Sequence, residues 1–317
     1  MGFLPDLLDF FSNAFLLFSI PMHFLLFRAL WQMRKKLNNS FHVLVRHISF
    51  LSLVCSIIRI FIGLPSTHYP LDNVIRLYPR LTNIVGYIID LEQIPLSLAV
   101  NVIHAFTAVN RLLAIMIPRL YQILMSAKTA TLLCFLSTVS FVLIRLPCFW
   151  VGFIAFTPQD NTTSVLYVVQ SEDVINAYLY RMIIPVGLLT TFIIYLCYAI
   201  IAIKITLSKI LHHEHLQKSL RKATIAAAVS SLGAILIMTV VVLQQYFWAA
   251  WELNFLSADW YTAVFGLGVC YNLSVHPWCL MIIFPDIRKK MFNCGYELQP
   301  KRSTVMTVVQ SSHFVKT

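Results

Sequence analysis

The fold of this 317-residue chain is limited above all by seven long apolar stretches. They occupy about residues 8–30, 41–64, 83–113, 129–153, 179–203, 223–248 and 260–284. A helix that crosses the roughly 30 Å apolar core of a bilayer needs about 20 mostly apolar residues, and each stretch reaches that length. Only 12% of the residues are charged, whereas soluble proteins average roughly 25%. The sequence therefore predicts an all-α membrane protein, a bundle of seven transmembrane helices.

These stretches leave room for one domain. Residues 1–293 are predicted to form a seven-transmembrane domain that ends in a short amphipathic helix, about residues 285–293, and residues 294–317 form a tail. The first stretch is preceded by Asp6 and lacks the basic segment of a cleaved signal peptide. We therefore expect it to remain in the protein as an anchor.

The basic residues predict the orientation of the chain. Segments 31–40, 111–128, 204–222 and 285–317 carry 17 of the 24 Lys and Arg residues. The segments that alternate with them carry only Arg76 and Arg80. Connections rich in Lys and Arg stay in the cytoplasm, so we expect an outer N-terminus and a cytoplasmic tail. The expected location of this multi-pass protein is the plasma membrane. The sequon at Asn161 then lies in an outer loop, as a glycosylation site requires.

The net charge of +11 follows this membrane pattern and does not indicate nucleic-acid binding. A metal or cofactor is not predicted either. The seven Cys contain no C-x-x-C pair, and most lie in apolar runs, where we interpret them as packing residues. The cluster His212-His213-Glu214-His215 has no second histidine box beside it, so we interpret it as a solvated loop.

The end of the third stretch carries the most informative motif. It reads Asn110-Arg111-Leu112, then Leu-Ala-Ile, with Pro118 seven and Tyr121 ten residues after the Arg. This resembles the inner end of the third helix in rhodopsin-like G-protein-coupled receptors, where an Asp-Arg-Tyr triplet stands at the same offsets. The resemblance implies that Arg111 is a switch that contacts the G protein. Because Asn110 replaces the acid, we expect a weaker lock on the inactive state.

The last stretch resembles the seventh helix of the same receptors. His276-Pro277 stands in place of their Asn-Pro, and Arg288 stands where their amphipathic helix carries a basic residue. Pro277 is expected to bend the helix by removing a backbone hydrogen bond. We interpret His276 as a satisfied interior histidine and not as a proton sensor. Cys294 follows the last basic cluster and is a candidate for palmitoylation.

Polar residues in the third stretch recur at steps of three and four, which places them on one helix face. They are Asp90, Gln93, Ser97, Asn101, His104 and Arg111, with Ala108 between the last two. In a bilayer such a face turns inward, either to join helices or to line a cavity. Glu92 lies off this face. The resemblance adds that Gln93, eighteen residues before Arg111, is at a position where receptors often contact ligand.

The candidate ligand contacts lie in the outer half of the bundle. They are Arg59, Asp90, Gln93, Ser97, Arg145 and Arg181. The arginines could bind an acidic or carbonyl ligand. They could equally pair with nearby acids as structural links, and Arg59 needs a partner or water because a charge within a span costs about 2.5–3.5 kcal/mol. Both alternatives stay open.

Several features of the sequence differ from mainstream rhodopsin-like receptors and are typical of another group of receptors. Gly86 stands where a disulfide Cys is usual, and residues 154–178 contain no Cys. The Asn110-Arg111 pair and the late Pro277-Trp278 pair add to this. These features are similar to nematode chemoreceptors of serpentine receptor class gamma and its relatives, over about residues 8–293. The resemblance implies a small-molecule or pheromone ligand, a heterotrimeric G protein and a place in sensory cilia of neurons, without a particular oligomeric state.

Two other classes of membrane protein fit the sequence less well. A transporter or channel would need charges along a path through the membrane, and the fifth to seventh stretches have almost none. An intramembrane enzyme would need clustered catalytic Asp or His within the spans, and the sequence shows no such cluster. The chemoreceptor is therefore the favoured hypothesis, and no enzymatic activity is predicted.

Overall fold

The computed structural model describes residues 3–33, 39–63, 79–151, 154–158, 165–169, 184–207, 214–251 and 256–292. The helices are α1 (Phe3–Gln32), α2 (Ser40–Ile58), α3 (Pro79–Leu91), α4 (Ser97–Met116), α5 (Pro118–Leu124), α6 (Ala127–Val151), α7 (Ile184–Leu207), α8 (Glu214–Trp251), α9 (Ala258–Ile283) and α10 (Pro285–Phe292). Two π-helical turns interrupt this pattern. Arg59–Gly63 extends α2, and Glu92–Leu96 joins α3 to α4.

Within these ranges, seven helices are long and apolar enough to cross a membrane. The predicted all-α seven-helix membrane bundle is confirmed. Two small elements were not predicted. One is α5, and the other is an antiparallel hairpin of β1 (Ile154–Pro158) and β2 (Val165–Val169) between the fourth and fifth spans. The predicted fifth span begins at residue 179, but residues 179–183 lie outside the described residues.

The third span, made of α3, a π-helical turn and α4, occupies the centre of the bundle. Its α4 packs against α2, α6, α7 and α8, while α1 packs between α2 and α9. The core holds fully buried side chains from several spans, such as Leu16, Ile48, Ile103 and Leu273. Large apolar side chains such as Phe192 point outward instead, as expected where the surroundings are lipid.

A glycine sets the close approach of α8 and α9. A Cβ atom at Gly233 would lie 2.7 Å from the backbone nitrogen of Asn272 and 2.8 Å from its Cα. Because real Cβ atoms do not approach so closely, only glycine fits at this crossing. Small residues commonly allow such contacts between membrane helices. The contact fixes the backbone of Asn272 deep in the bundle, beside α4.

The ends of two helices bring distant residues together. The side chain of Asn39 caps α2 by accepting a hydrogen bond from the backbone N–H of His42 at 3.0 Å. Pro118 is the first residue of α5, where its missing N–H is not needed. The preceding Ile117 has φ −138° and ψ 72°, which is not helical, so the chain changes direction between α4 and α5.

Candidate functional site

The third span turns polar side chains toward the interior of the bundle. The side chains of Asn101, His104 and Asn110 expose only 5%, 2% and 1% of their surface. Ser97 is half-buried. The side chains of Asp90 and Gln93 lie outside the described part of the structure. The interior face is therefore visible along α4, from Ser97 toward Arg111.

Arg111 places its guanidinium over an aromatic ring. Its Cζ lies 3.4 Å from the centroid of the Phe41 ring in α2, a cation–π contact that is worth about 2 kcal/mol when desolvated. The Nε of Arg111 is buried and has no hydrogen-bond partner among the described residues. Tyr121 of α5 and Tyr198 of α7 interact electrostatically with the same guanidinium. Four helices thus meet around one positive charge at what we call the Arg111 end of the bundle.

Asn110 forms its hydrogen bond with Ser40, whereas its neighbour Arg111 contacts the ring of Phe41. The Oδ1 of Asn110 accepts a hydrogen bond from the hydroxyl of Ser40 at 2.8 Å, and the Ser40 Oγ lies 3.2 Å from the hydroxyl oxygen of Tyr121. Ser40 is the first residue of α2, so this network joins the beginnings of α2 and α5 to α4. Asn110 therefore shapes the surroundings of Arg111 without neutralising its charge.

Neutral polar side chains join α4 to α9 in the middle of the bundle. The Nδ2 of Asn272 donates a hydrogen bond to the Oδ1 of Asn101 at 3.1 Å. The rings of His104 and the buried His276 meet edge to face, with centroids 6.1 Å apart. Both histidines line a cavity of about 10 Å³ that also touches Phe41, the residue under Arg111. This layer connects the centre of the bundle with the Arg111 end.

Pro277 leaves a backbone carbonyl of α9 without its helical partner, because proline has no N–H to donate to the residue four positions earlier. That residue is Leu273, and the Nε2 of His23 in α1 lies 2.6 Å from its carbonyl oxygen. The histidine therefore supplies the donor that the proline lacks. His23 is fully buried, so this bond ties α1 to the bend in α9.

Glu92 lies inside the bundle, and the expectation that it lies off the interior face is wrong. Its side chain exposes 1% of its surface, and its Oε1 has no hydrogen-bond partner among the described residues. The reason is the π-helical turn Glu92–Leu96. A π-helical turn takes in more residues than an α-helical turn, so the face counted at α-helical spacing shifts there.

Arg59 carries the positive charge that faces Glu92. It is half-buried and begins the other π-helical turn. Glu92 and Asp9 interact electrostatically with its guanidinium, and the thiol of Cys270 is in polar contact with it. The Sγ of Cys270 in turn lies 3.8 Å from the Oδ1 of Asn13. We call this cluster from α1, α2, α9 and the third span the Glu92 end of the bundle.

The remaining predicted residues fall into two groups. Pro118 begins α5, and the side chain of Arg288 is exposed on α10. In α10, Ile287 and Met291 are buried against α1, whereas the side chains of Lys289 and Lys290 are exposed. The other group cannot be placed: Asn161, Arg181 and Cys294 lie outside the described residues, as does the side chain of Arg145.

The predicted packing role of the cysteines is visible at five positions. Cys55, Cys134, Cys197, Cys270 and Cys279 are free thiols and buried. Across the described ranges, no group of three or more His, Cys, Asp or Glu side chains could hold a metal ion. The arrangement instead consists of a charged cluster at each end and a neutral polar layer between them. Along the third span, Glu92 and Arg111 are separated by roughly 28 Å at 1.5 Å per residue.

Comparison with known families shows which family the sequence resembles. A sequence model of the family described as "Serpentine type 7TM GPCR chemoreceptor Srx" matches residues 14–276. The match begins in α1 and ends at the residue before Pro277, so it includes both charged clusters except Asp9 and Asn13. It confirms the predicted resemblance to serpentine chemoreceptors, and Srx is the class that it names. No curated protein matches the chain.

Proposed function

The chain belongs to the Srx family of serpentine seven-transmembrane chemoreceptors, and we propose that it detects a small molecule or pheromone and activates a heterotrimeric G protein. The observation that carries this proposal is the setting of Arg111. A guanidinium with a buried, unpartnered Nε is held over Phe41 by helices that end together. Such a charge is available to a new acceptor as soon as those helices separate.

The proposed orientation places the Arg111 end in the cytoplasm and the Glu92 end outside. It is supported by the basic residues of the connections near Arg111. The G protein would then dock on α5, α10 and the ends of α4 and α7. Pro118, Tyr121 and Arg288 are the proposed coupling residues on this surface, and the plasma membrane, in sensory cilia, is the proposed location.

Activation is proposed as a shift between two helix arrangements. In the described arrangement, Ser40 joins Asn110 to Tyr121, and Phe41 covers Arg111. A displacement of α2 relative to α4 breaks both contacts at once, because Ser40 and Phe41 are consecutive residues. The guanidinium of Arg111 then faces the G protein. His276 and Pro277 are proposed to transmit movement of α9 to this end through His104.

The ligand is proposed to act at the Glu92 end. The residues expected to contact it are Ser97, Asp90, Gln93, Arg145 and Arg181. Arg59 belongs to the same end, but its guanidinium already faces Glu92 and Asp9. We therefore propose that Arg59 mainly holds these two acids in place and that its effect on ligand is indirect.

The test is nucleotide exchange on a heterotrimeric G protein in vesicles that carry the full-length receptor at graded density. Exchange should rise with receptor density, and Arg111→Ala should reduce it about tenfold or more, since Arg111 is proposed to contact the G protein. Arg80→Ala, at the start of α3 and the opposite end of the bundle, is the matched control and should retain exchange. Nucleotide exchange that persists in Arg111→Ala at equal receptor density in the vesicles would contradict the proposed switch.

A further inference from the structure

A groove on the surface of α1 lies outside both charged clusters. It has a volume of about 450 Å³ and is lined by Phe24, Leu25, Phe27, Arg28 and Trp31. This volume is within the range of roughly 300–1,000 Å³ that is usual for sites of small ligands. The side chains of Phe24 and Trp31 expose 59% and 48% of their surface. The groove therefore opens to the surroundings of the bundle and not to its interior.

Aromatic rings continue this groove onto α2. The ring centroids of Phe27 and Trp31 are 5.9 Å apart, and those of Phe27 and Phe50 are 6.0 Å apart. The Cζ of Arg46 in α2 lies 5.7 Å from the centroid of the Trp31 ring. Two arginines, Arg28 and Arg46, thus stand at the end of an aromatic strip. Both are within about 9 Å of the end of their helices at 1.5 Å per residue, the depth of a lipid headgroup.

The helices around this groove carry more basic than acidic residues. Helix α10, which packs against α1, has one acidic residue, Asp286, and three basic residues. The sequences of α1, α2 and α6 contain only two acidic residues, Asp6 and Asp9. Both stand in the first turns of α1, at the Glu92 end. The surplus of positive charge over an apolar groove matches a molecule with an anionic head and an apolar tail.

We propose that this groove binds an anionic phospholipid of the surrounding bilayer. The phosphate and the acidic headgroup would lie between Arg28 and Arg46, where arginine side chains bind phosphate well. The acyl chain would lie along Phe24, Leu25 and Phe27. Trp31 stands between the two parts, as tryptophan does at membrane interfaces. The inference concerns a lipid site and is independent of G-protein coupling.

The experiment uses the full-length receptor in nanodiscs of phosphatidylcholine that contain a lipid with brominated chains. The brominated lipid is either phosphatidylserine or phosphatidylcholine, at equal mole fraction, and bromine quenches nearby tryptophan fluorescence. The contribution of Trp31 is the difference between the native protein and Trp31→Phe. Brominated phosphatidylserine should quench Trp31 at a much lower mole fraction than brominated phosphatidylcholine. Because each basic residue near an anionic lipid contributes about a fivefold preference, two predict roughly thirtyfold.

The variant Arg28→Gln with Arg46→Gln should remove this preference. The matched control, Lys289→Gln with Lys290→Gln, also loses two positive charges, but from exposed positions on α10, and should keep the preference. If the double arginine variant does not fold, Arg28→Gln alone, at an exposed side chain, should reduce the preference roughly fivefold. Equal quenching by the two lipids in the native protein would overturn the proposal. So would an equal loss in the lysine control, or displacement of both lipids by a sterol.

Discussion

Substitutions of the single residues Arg59 and Glu92 show how the bundle tolerates charge in its interior. Glu92 and Asp9 act electrostatically on the Arg59 guanidinium inside the bundle. Leaving one buried charge without its opposite costs up to about 3–5 kcal/mol, and we expect the lower part of this range because Arg59 is only half-buried. Arg59→Gln should therefore reduce surface expression and thermal stability. Adding Glu92→Gln should restore both, because the acid that Arg59 faces is then neutral. The measurement is surface labelling together with the melting temperature of the purified protein.

Normal expression of Arg59→Gln with a lost response would instead identify Arg59 as a ligand contact. Charge reversal, Arg59→Glu, sharpens the comparison, because it adds a third acid beside Asp9 and Glu92. A purely structural role predicts that this variant is less well expressed than Arg59→Gln. A ligand contact predicts equal expression of the two.

Asn110→Asp tests the lock on Arg111. An acid beside Arg111 should form the ion pair that the native protein lacks and so lower basal nucleotide exchange. A gain of about 1 kcal/mol for the inactive state corresponds to a roughly fivefold decrease. Asn110→Ala is the control, since it adds no charge and removes the acceptor of the Ser40 hydroxyl, which aspartate would keep, and it should not lower exchange. Exchange that is undetectable in the native protein and appears with Asn110→Asp would contradict the proposed lock.

The sequence pattern predicts some of the residues around Arg111 and Glu92 and misses others. The offsets around Arg111 singled out Asn110, Pro118 and Tyr121 because they lie close in sequence. Ser40 and Phe41 were not predicted, because a contact between two helices leaves no local pattern in either. Glu92 was misplaced for a different reason: counting at α-helical spacing cannot detect a π-helical turn.

Helix α9 shows, at the scale of elements, how a proline is accommodated. His23→Phe removes the donor to the Leu273 carbonyl and leaves a buried oxygen unpaired, which costs about 1–3 kcal/mol. In a Pro277→Ala background, the new N–H at position 277 can bond to the same carbonyl, so the His23 substitution should cost clearly less. Melting temperatures of the four proteins of this double-mutant cycle measure the difference. Additive losses would show that the bond between His23 and Leu273 does not compensate for the proline.

Hydropathy predicted the elements better than their interruptions. An apolar run of sufficient length predicts a span because its side chains must be kept from water, and each of the seven runs overlaps such a helix. The polar beginning of α8 at Glu214 was missed, since the prediction started at residue 223, where the apolar run begins. The hairpin β1–β2 and the short α5 were also missed, because neither has a long apolar run.

The orientation of the whole molecule is the prediction on which the functional assignments of both ends depend. With an antibody tag at each end of the chain, intact cells should bind antibody only at the N-terminus. Digestion with a glycosidase should shift the native protein and leave Asn161→Gln unshifted. Accessibility of both tags from the same side would indicate an even number of spans and contradict the seven-span topology in the cell.

The π-helical turn at Glu92–Leu96 divides the third span into two halves, α3 and α4. Deleting one residue within it would allow a continuous α-helix and would rotate everything before it by about 100° relative to α4. Asn101, His104 and Arg111 would keep their neighbours. A new set of side chains would face the interior at the other end. A single-codon deletion or insertion at this turn would therefore exchange the proposed recognition surface in one mutational step while the proposed signalling end is inherited unchanged.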